Sequence, residues 1–303
     1  MRIFFLTHQF FFTLKFSDFL KSELRTSPYC LLFGHPVGHS LSPVMHQTAA
    51  EHYGMNLNYV AVDVSPSDLQ RVASVFNDDS FIGANITIPY KKEFIAYVDQ
   101  PDERVTQIGA TNTLHKNEHQ IHGYNTDVDG FLAPLEAFED DLHGESAVVF
   151  GTGGASKAVC YALLEVLQME QVYVVSRTPD PTRLPLQDAR VQIASYSNWA
   201  AFAGQASLIV NTTPVGMEPD TGKRLFPLAE AEVLHDKICY DLIYKPRETN
   251  FLSDALEVGA YATLDGLDML IHQGSKAFEI WTGYPFPVSK IKERLEDELA
   301  TGN

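Results

Sequence analysis

The chain has 303 residues, 45% hydrophobic and 20% charged, which is enough apolar material for a core in each of two ordinary domains. No run approaches the ~18 consecutive apolar residues of a membrane-spanning helix. Its 22 basic against 39 acidic residues leave a net charge of −17, a field that repels nucleic acid and anionic membranes.

Residues 1–28 stand apart from the rest. Seven of the 19 phenylalanines lie between Phe4 and Phe19. Arg2 ahead of an apolar run resembles the start of a signal peptide, but His8, Gln9 and Lys15 interrupt it and no A-x-A-like cleavage site follows. The segment reads as a poorly ordered extension that the fold can do without. Regular alternation begins at Tyr29. Residues 29–33 predict a buried strand and 34–42 a loop. Ser42-Pro43 predicts a helix start, with Ser42 as its cap and Pro43 at the first position. Residues 57–64 predict a second strand, Ser65-Pro66-Ser67-Asp68 a capping box, and 81–87 a third strand with a short helix after Pro89. A second unit opens with a strand at 146–150, a glycine turn at 151–154 and a helix at 155–168. Strands at 171–176, 207–211 and 237–241 follow, then helices at 266–281 and 288–299. This order predicts an α/β protein of two domains: a mainly parallel α/β domain of 29–127 with 266–303, and a Rossmann-like domain of 128–265.

Cys30, Cys160 and Cys239 are far apart and lack CxxC spacing, so reduced thiols in a cytoplasmic setting are expected rather than a disulfide framework or a zinc site. His35 and His39 are four apart, but Pro36 and Gly38 between them disfavour the helix that would place both on one face, and no metal is expected there.

Gly151-Thr-Gly-Gly-Ala-Ser156 lies between an apolar strand and a helix. Glycines there tighten the turn and let backbone N–H groups of Gly151, Thr152, Gly153, Gly154 and Ala155 approach a pyrophosphate at the helix N-terminus. The third glycine of GxGxxG is Ser156, so the motif is a variant. A ligand-free βα turn is the alternative. The next strand ends in Ser176-Arg177-Thr178, where an NAD-binding unit has an acidic residue for the ribose hydroxyls. A guanidinium there pairs with a 2′-phosphate, with Arg183 as a second contact, and the pattern points to NADP. The alternative for Arg177 is an ordinary solvated arginine.

Four further motifs precede that turn: His39-Ser-Leu-Ser-Pro43, Asn85-Ile-Thr-Ile-Pro-Tyr-Lys91, Gly109-Ala-Thr-Asn-Thr113 and Gly123-Tyr-Asn-Thr-Asp127. Asn211-Thr-Thr-Pro-Val-Gly-Met217, Asp241-Leu-Ile-Tyr244 and Gly266-Leu-Asp-Met-Leu270 with Gln273 follow it. In this order they resemble the shikimate dehydrogenases from about Tyr29 to the C-terminal helix. Thr111 stands where that family often has Val, and Ser176 where it usually has Asn. Residues 1–28 have no counterpart in the family core.

The resemblance implies reversible, NADPH-dependent reduction of 3-dehydroshikimate to shikimate, a step of chorismate and aromatic amino-acid biosynthesis. It implies that Ser40 and Ser42 hold the substrate carboxylate, although Ser42 as a helix cap is an equal alternative. Asn85, Thr87, Asn112, Tyr244 and Gln273 supply neutral polar groups for a polyhydroxylated ring, although Asn112 and Asn125 could instead stabilise turns. By the same resemblance Lys91 and Asp127 are catalytic, and Thr212, Met217, Leu242 and Gly266 line the cofactor site. Carbonyl reduction builds negative charge on oxygen, so a positioned ammonium with a carboxylate partner suits it. Without the surrounding motifs, Lys91 and Asp127 would read as a surface ion pair, and adjacent Lys92 is expected to face solvent. Two rival readings stay open: an NAD-using quinate/shikimate dehydrogenase, and a non-catalytic sensor of shikimate-like ligands. A homodimer stays open as well.

Overall fold

The computed structural model describes residues 13–301. Two sheets organise them. The first holds β1 (Thr13–Lys15), β2 (Tyr29–Gly34), β3 (Asn58–Asp63), β4 (Phe81–Ile86), β5 (Gln100–Pro101), β6 (Thr113–Asn117) and β7 (Gln120–Tyr124), in spatial order β1-β3-β2-β4-β6-β7-β5. Its pairs are parallel except β4–β6 and β6–β7. The β6–β7 hairpin was not legible because its turn, Glu118-His119, contains no glycine; Glu118 itself takes the left-handed φ of 55°.

The second sheet is wholly parallel: β8 (Ser146–Phe150), β9 (Gln171–Ser176), β10 (Val191–Ser195), β11 (Leu208–Asn211), β12 (Ile238–Asp241) and β13 (Ala262–Leu264), ordered β10-β9-β8-β11-β12-β13. Ala147–Phe150 are buried because apolar clusters cover both faces of the sheet. In each sheet the order of connection reverses beside one early strand, β2 in the first and β8 in the second. The loops leaving their carboxyl ends therefore open into a crevice, where open α/β sheets bind ligands.

Residues 13–28 do not behave as an extension. β1 pairs with β3, Thr13 opposite Ala61 and Lys15 opposite Asp63. In the helical turn Phe16–Phe19 both phenylalanines are fully buried, edge-on to Phe33 and Tyr29. Arg25 donates from Nε and one Nη to the two oxygens of Asp78, each at 2.8 Å, and the Tyr29 hydroxyl donates to the same carboxylate at 2.6 Å. The spacing of Phe16 and Phe19 is that of a helical face closing the edge of the first core, which the interrupted phenylalanine run disguised. Residues 1–12, with most of that run, lie outside the described residues.

Two cap expectations also change. The helix Ser42–His52 begins one residue earlier than predicted, with Leu41 at its cap position, and no side chain caps it. Ser65 to Asp68 forms no capping box: the Ser65 hydroxyl donates to the Asp68 carboxylate at 2.8 Å, and the segment that follows, Leu69–Val75, is a 3₁₀ helix. The helix predicted at 155–168 is α-helical over Gly154–Tyr161 and π-helical over Ala162–Val166.

The late helices Gly266–Thr282 and Val288–Thr301 pack on the first sheet: Leu267, Ile271, Phe278, Ile291 and Leu295 share a core with Cys30 and Leu32. The short helix Asp127–Leu132 joins the two halves, since its Val128 and Phe131 belong to the core of the second sheet. Among the described residues, no helix is long and apolar enough to cross a membrane.

Candidate active site

The crossover from β2 carries the serine loop. Ser42 N–H and the Ser40 hydroxyl are 3.2 Å apart, and the Ser40 hydroxyl donates to Ser42 Oγ at 3.2 Å. Because Ser42 caps nothing, its side chain is free of the structural duty the sequence allowed it. The next loop sits against this one: Thr87 N–H donates to Phe33 O at 2.8 Å, and His35 N–H to Ile88 O at 3.0 Å. Lys91 follows, and its carbonyl accepts from Thr111 N–H at 2.8 Å, tying the lysine loop to the Gly109–Thr113 motif.

Lys91 Nζ donates to Asp127 Oδ2 at 2.5 Å, and the side chains are 20% and 8% exposed. The other carboxylate oxygen, Oδ1, accepts from Asn112 Nδ2 at 2.9 Å. The acceptor end of Asn112 is itself held by Thr126 N–H at 2.7 Å. A buried ion pair is weak evidence for stability, because desolvation offsets much of its attraction. Lys91 is thus held in one direction by a carboxylate bonded at both oxygens, unlike a solvated surface pair. Lys92 is exposed, as expected.

The other predicted ring-binding residues separate into two sets. Gln273 lies against Gly130, three residues after Asp127: a side chain at Gly130 would meet Gln273 Cβ at 2.7 Å and Met269 O at 2.6 Å, so the helices Asp127–Leu132 and Gly266–Thr282 touch backbone to backbone there. Tyr244, beyond β12, leans on the first core, and burial raises its phenol pKa. Asn85 is buried on β4 with its amide engaged by Tyr59, Thr113 and Asn112. Asn125 donates to Ala110 O at 3.0 Å, the turn-holding role left open for it. Sequence reasoning passed over Thr113 and Thr126, although both lie inside quoted motifs. Tyr59 carried no signal, because it reads as one apolar strand residue among others.

On the second sheet, Gly151 has φ 110°, and a Cβ there would stand 2.6 Å from Thr212 Oγ1, so only glycine fits. Thr212 spends its hydroxyl on Phe150 O at 2.6 Å. Added Cβ atoms at Gly153 and Gly154 would meet nothing within 4 Å, and no side chain caps the helix that starts there. The variant third position is explained: the Ser156 hydroxyl donates to Gly151 O at 2.8 Å and bolts the turn to the helix. Ser176 closes the turn after β9, accepting from Thr178 N–H at 3.3 Å. Arg177 and Arg183 are exposed and form no ion pair among the described residues. Arg177 faces Tyr196, whose phenol pKa burial raises and the guanidinium partly lowers. Gly151 N–H is taken by Val175 O at 3.0 Å, but the rest of the open turn and the unpaired guanidinia in a strongly acidic protein fit a phosphorylated dinucleotide.

Three residues expected at the cofactor site have structural surroundings of their own. Met217 is exposed at 44%. Gly266 lies so close to Leu242 that a Cβ would meet its carbonyl oxygen at 2.1 Å. Nearby, Asp241 is fully buried and accepts from Asn211, Ile243 N–H and Thr249; burial still pushes its carboxyl up to about 6.

The two α/β sheets and the glycine turn after β8 place the chain among α/β proteins with a Rossmann-like nucleotide unit. A family model for the shikimate dehydrogenase substrate binding domain matches residues 32–114, and one for the shikimate 5'-dehydrogenase C-terminal domain matches 266–296. A shikimate dehydrogenase (NADP(+)) of Salinibacter ruber is 37% identical over 279 residues, 89% of this chain and 97% of that one. A shikimate 5-dehydrogenase of Listeria monocytogenes, solved in complex with shikimate and NAD, superposes with a TM-score of 0.80 at 31% identity, covering 89% of this chain and 96% of its own. The shikimate 5-dehydrogenase of Thermus thermophilus, in complex with NADP(H) and shikimate, gives 0.78 at 36% identity, with 89% and 99% covered. The chain belongs to the shikimate dehydrogenase family. The motif resemblance and the α/β fold expected from sequence are both borne out.

Proposed function

We propose that the protein catalyses the reversible NADPH-dependent reduction of 3-dehydroshikimate to shikimate, within chorismate and aromatic amino-acid biosynthesis. The observation that carries this reading is the Lys91–Asp127 pair, anchored by Asn112. Ser40 and Ser42 offer hydroxyls to the substrate carboxylate. Thr87, Tyr244 and Gln273 line the ring site. Asn85 and Asn112 hold the strands and the carboxylate behind it. In reduction Lys91 Nζ gives a proton to the substrate oxygen as negative charge builds there, and in oxidation it takes that proton back. Asp127 fixes the direction of the ammonium.

The turn at Gly151, Thr152, Gly153, Gly154 and Ala155 would hold the pyrophosphate of NADP, with Arg177 and Arg183 on its 2′-phosphate. When bound, the nicotinamide supplies or accepts the hydride. The domain division supporting this is the first sheet with the late helices against the second sheet, with residues 13–28 counted in the former. Cys30, Cys160 and Cys239 are buried free thiols, which supports a cytoplasmic setting. A steady-state assay crossing shikimate and quinate with NADP and NAD tests the reading. Turnover of shikimate with NADP, and far less with quinate or NAD, is expected. Preference for quinate with NAD, or binding of shikimate without turnover, would replace it with one of the two rivals.

A further inference from the structure

Tyr59 sits on β3 with its phenol buried in the first core. Its ring is stacked on His46, 4.1 Å between centroids and 2° between planes, and is tilted against Trp281. Trp281 is itself fixed by donating to Leu114 O at 2.8 Å. The ring cannot turn without displacing these neighbours, so the hydroxyl has one position. From there it donates to Asn85 Oδ1 at 2.7 Å.

That bond sets the amide. The two ends of a carboxamide have nearly the same shape but opposite polarity, so with Oδ1 facing Tyr59 only the donor end is left for Thr113. Asn85 Nδ2 meets Thr113 Oγ1 at 3.1 Å. Thr113, now an acceptor on that side, gives its own proton to Asn112 Oδ1 at 3.1 Å, with Thr126 Oγ1 3.2 Å away. Asn112, its acceptor end taken, turns Nδ2 to Asp127 Oδ1 at 2.9 Å, and Asp127 Oδ2 receives Lys91 at 2.5 Å. Four side chains thus link a buried phenol to the lysine, and Thr126 N–H, at 2.7 Å, holds the acceptor end of Asn112 alongside Thr113.

We propose that Tyr59 is a positioning residue of the reaction, orienting Lys91 through the chain Asn85, Thr113, Asn112 and Asp127. This rests on the role given above to Lys91 and Asp127. A fully satisfied buried network holds its members in one arrangement. Without the phenol hydroxyl, the Asn85 amide can reverse and accept from Thr113. The Thr113 proton then leaves Asn112, and the grip on the Asp127 carboxylate loosens.

The test is shikimate oxidation with NADP by wild type, Tyr59→Phe, Thr113→Val and their double variant. Tyr59→Phe and Thr113→Val should each lower kcat about ten- to hundredfold, the scale of a small misplacement at the reacting centre, with KM changed far less. The double variant should lose no more than either single one, because both break the same chain. A merely structural tyrosine would lower the melting temperature and leave kcat of the folded enzyme intact, which would overturn the proposal. So would multiplicative losses in the double variant. If Tyr59→Phe does not fold by circular dichroism, Thr113→Val decides alone, and normal kcat there rejects the chain. An inactive wild type would instead reject the functional reading, and this proposal with it.

Discussion

Lys91 and Asp127 are mostly withdrawn from solvent, and each completes the bonding of the other. If charge develops on substrate oxygen beside Lys91, removing the ammonium should act on the transition state more than on binding. Lys91→Ala is therefore expected to lower kcat by about 10²–10⁴-fold, with a smaller change in the shikimate KM. Asp127→Asn should lower kcat too, and the double variant should lose much less than the product of the two, because the pair acts as a unit. A folded Lys91→Ala enzyme with near-normal kcat and a raised KM would make Lys91 a binding residue. Arg177 is a separate case, exposed and unpaired at the end of β9. Arg177→Asp should narrow the NADP-over-NAD preference about tenfold or more, since 1.4 kcal/mol is one decade, and leave the shikimate KM nearly untouched. An unchanged ratio of kcat/KM for the two cofactors would remove Arg177 from 2′-phosphate recognition. Both residues were legible in sequence because their types are chemically committed and their motifs lie in order. Tyr59 and Thr113 were not legible, because a phenol or hydroxyl declares its partner only when strands pair.

Among the elements, β1 and the turn Phe16–Phe19 depart furthest from the sequence reading. A chain starting near Ser27 would remove the edge strand that pairs with β3 and leave the sites of two fully buried phenylalanines empty. Such a truncation is expected to fold poorly. Within the full chain, Phe19→Ala should cost about 3–5 kcal/mol, the usual range for emptying a buried aromatic site. Urea unfolding measures it, and a loss under about 1 kcal/mol would mean that the segment adds little to the core. Short apolar runs, such as β2, β8 and β9, lie where the pattern predicted them to within a residue. Those that depend on pairing partners did not show. The hairpin β6–β7 lacks a glycine turn, and β13 is three residues long beside β12.

For the whole molecule, the buried aromatic cluster behind the serine loop sets a pH dependence. Burial lowers the imidazole of His46 from 6.5 to about 3, against a smaller opposing contribution from Asn85. Between those values the unfolded chain binds a proton that the folded protein refuses. Stability from this group is thus full above pH 6.5 and is lost as the pH falls toward 3. His46→Phe keeps a ring on Tyr59 without the titrating nitrogens, so its denaturation midpoint should decline less steeply across that window. An identical acid slope in both proteins would exclude His46 as a source.

The sequence by itself determined the α/β class, the glycine turn with its arginine, and the lysine and aspartate that pair in the fold. Apolar periodicity and committed side-chain chemistry are local properties, readable without neighbours. Tertiary structure alone decided that Phe16 and Phe19 belong to the core, that Ser42 caps nothing, and that Ser156 replaces a glycine by bonding Gly151 O. It also decided which groups the two amides meet, Tyr59 and Thr113 for Asn85 and Thr126 and Asp127 for Asn112. Each of these depends on which groups are brought within about 3 Å of one another by chain pairing, and burial then makes every unmade hydrogen bond costly.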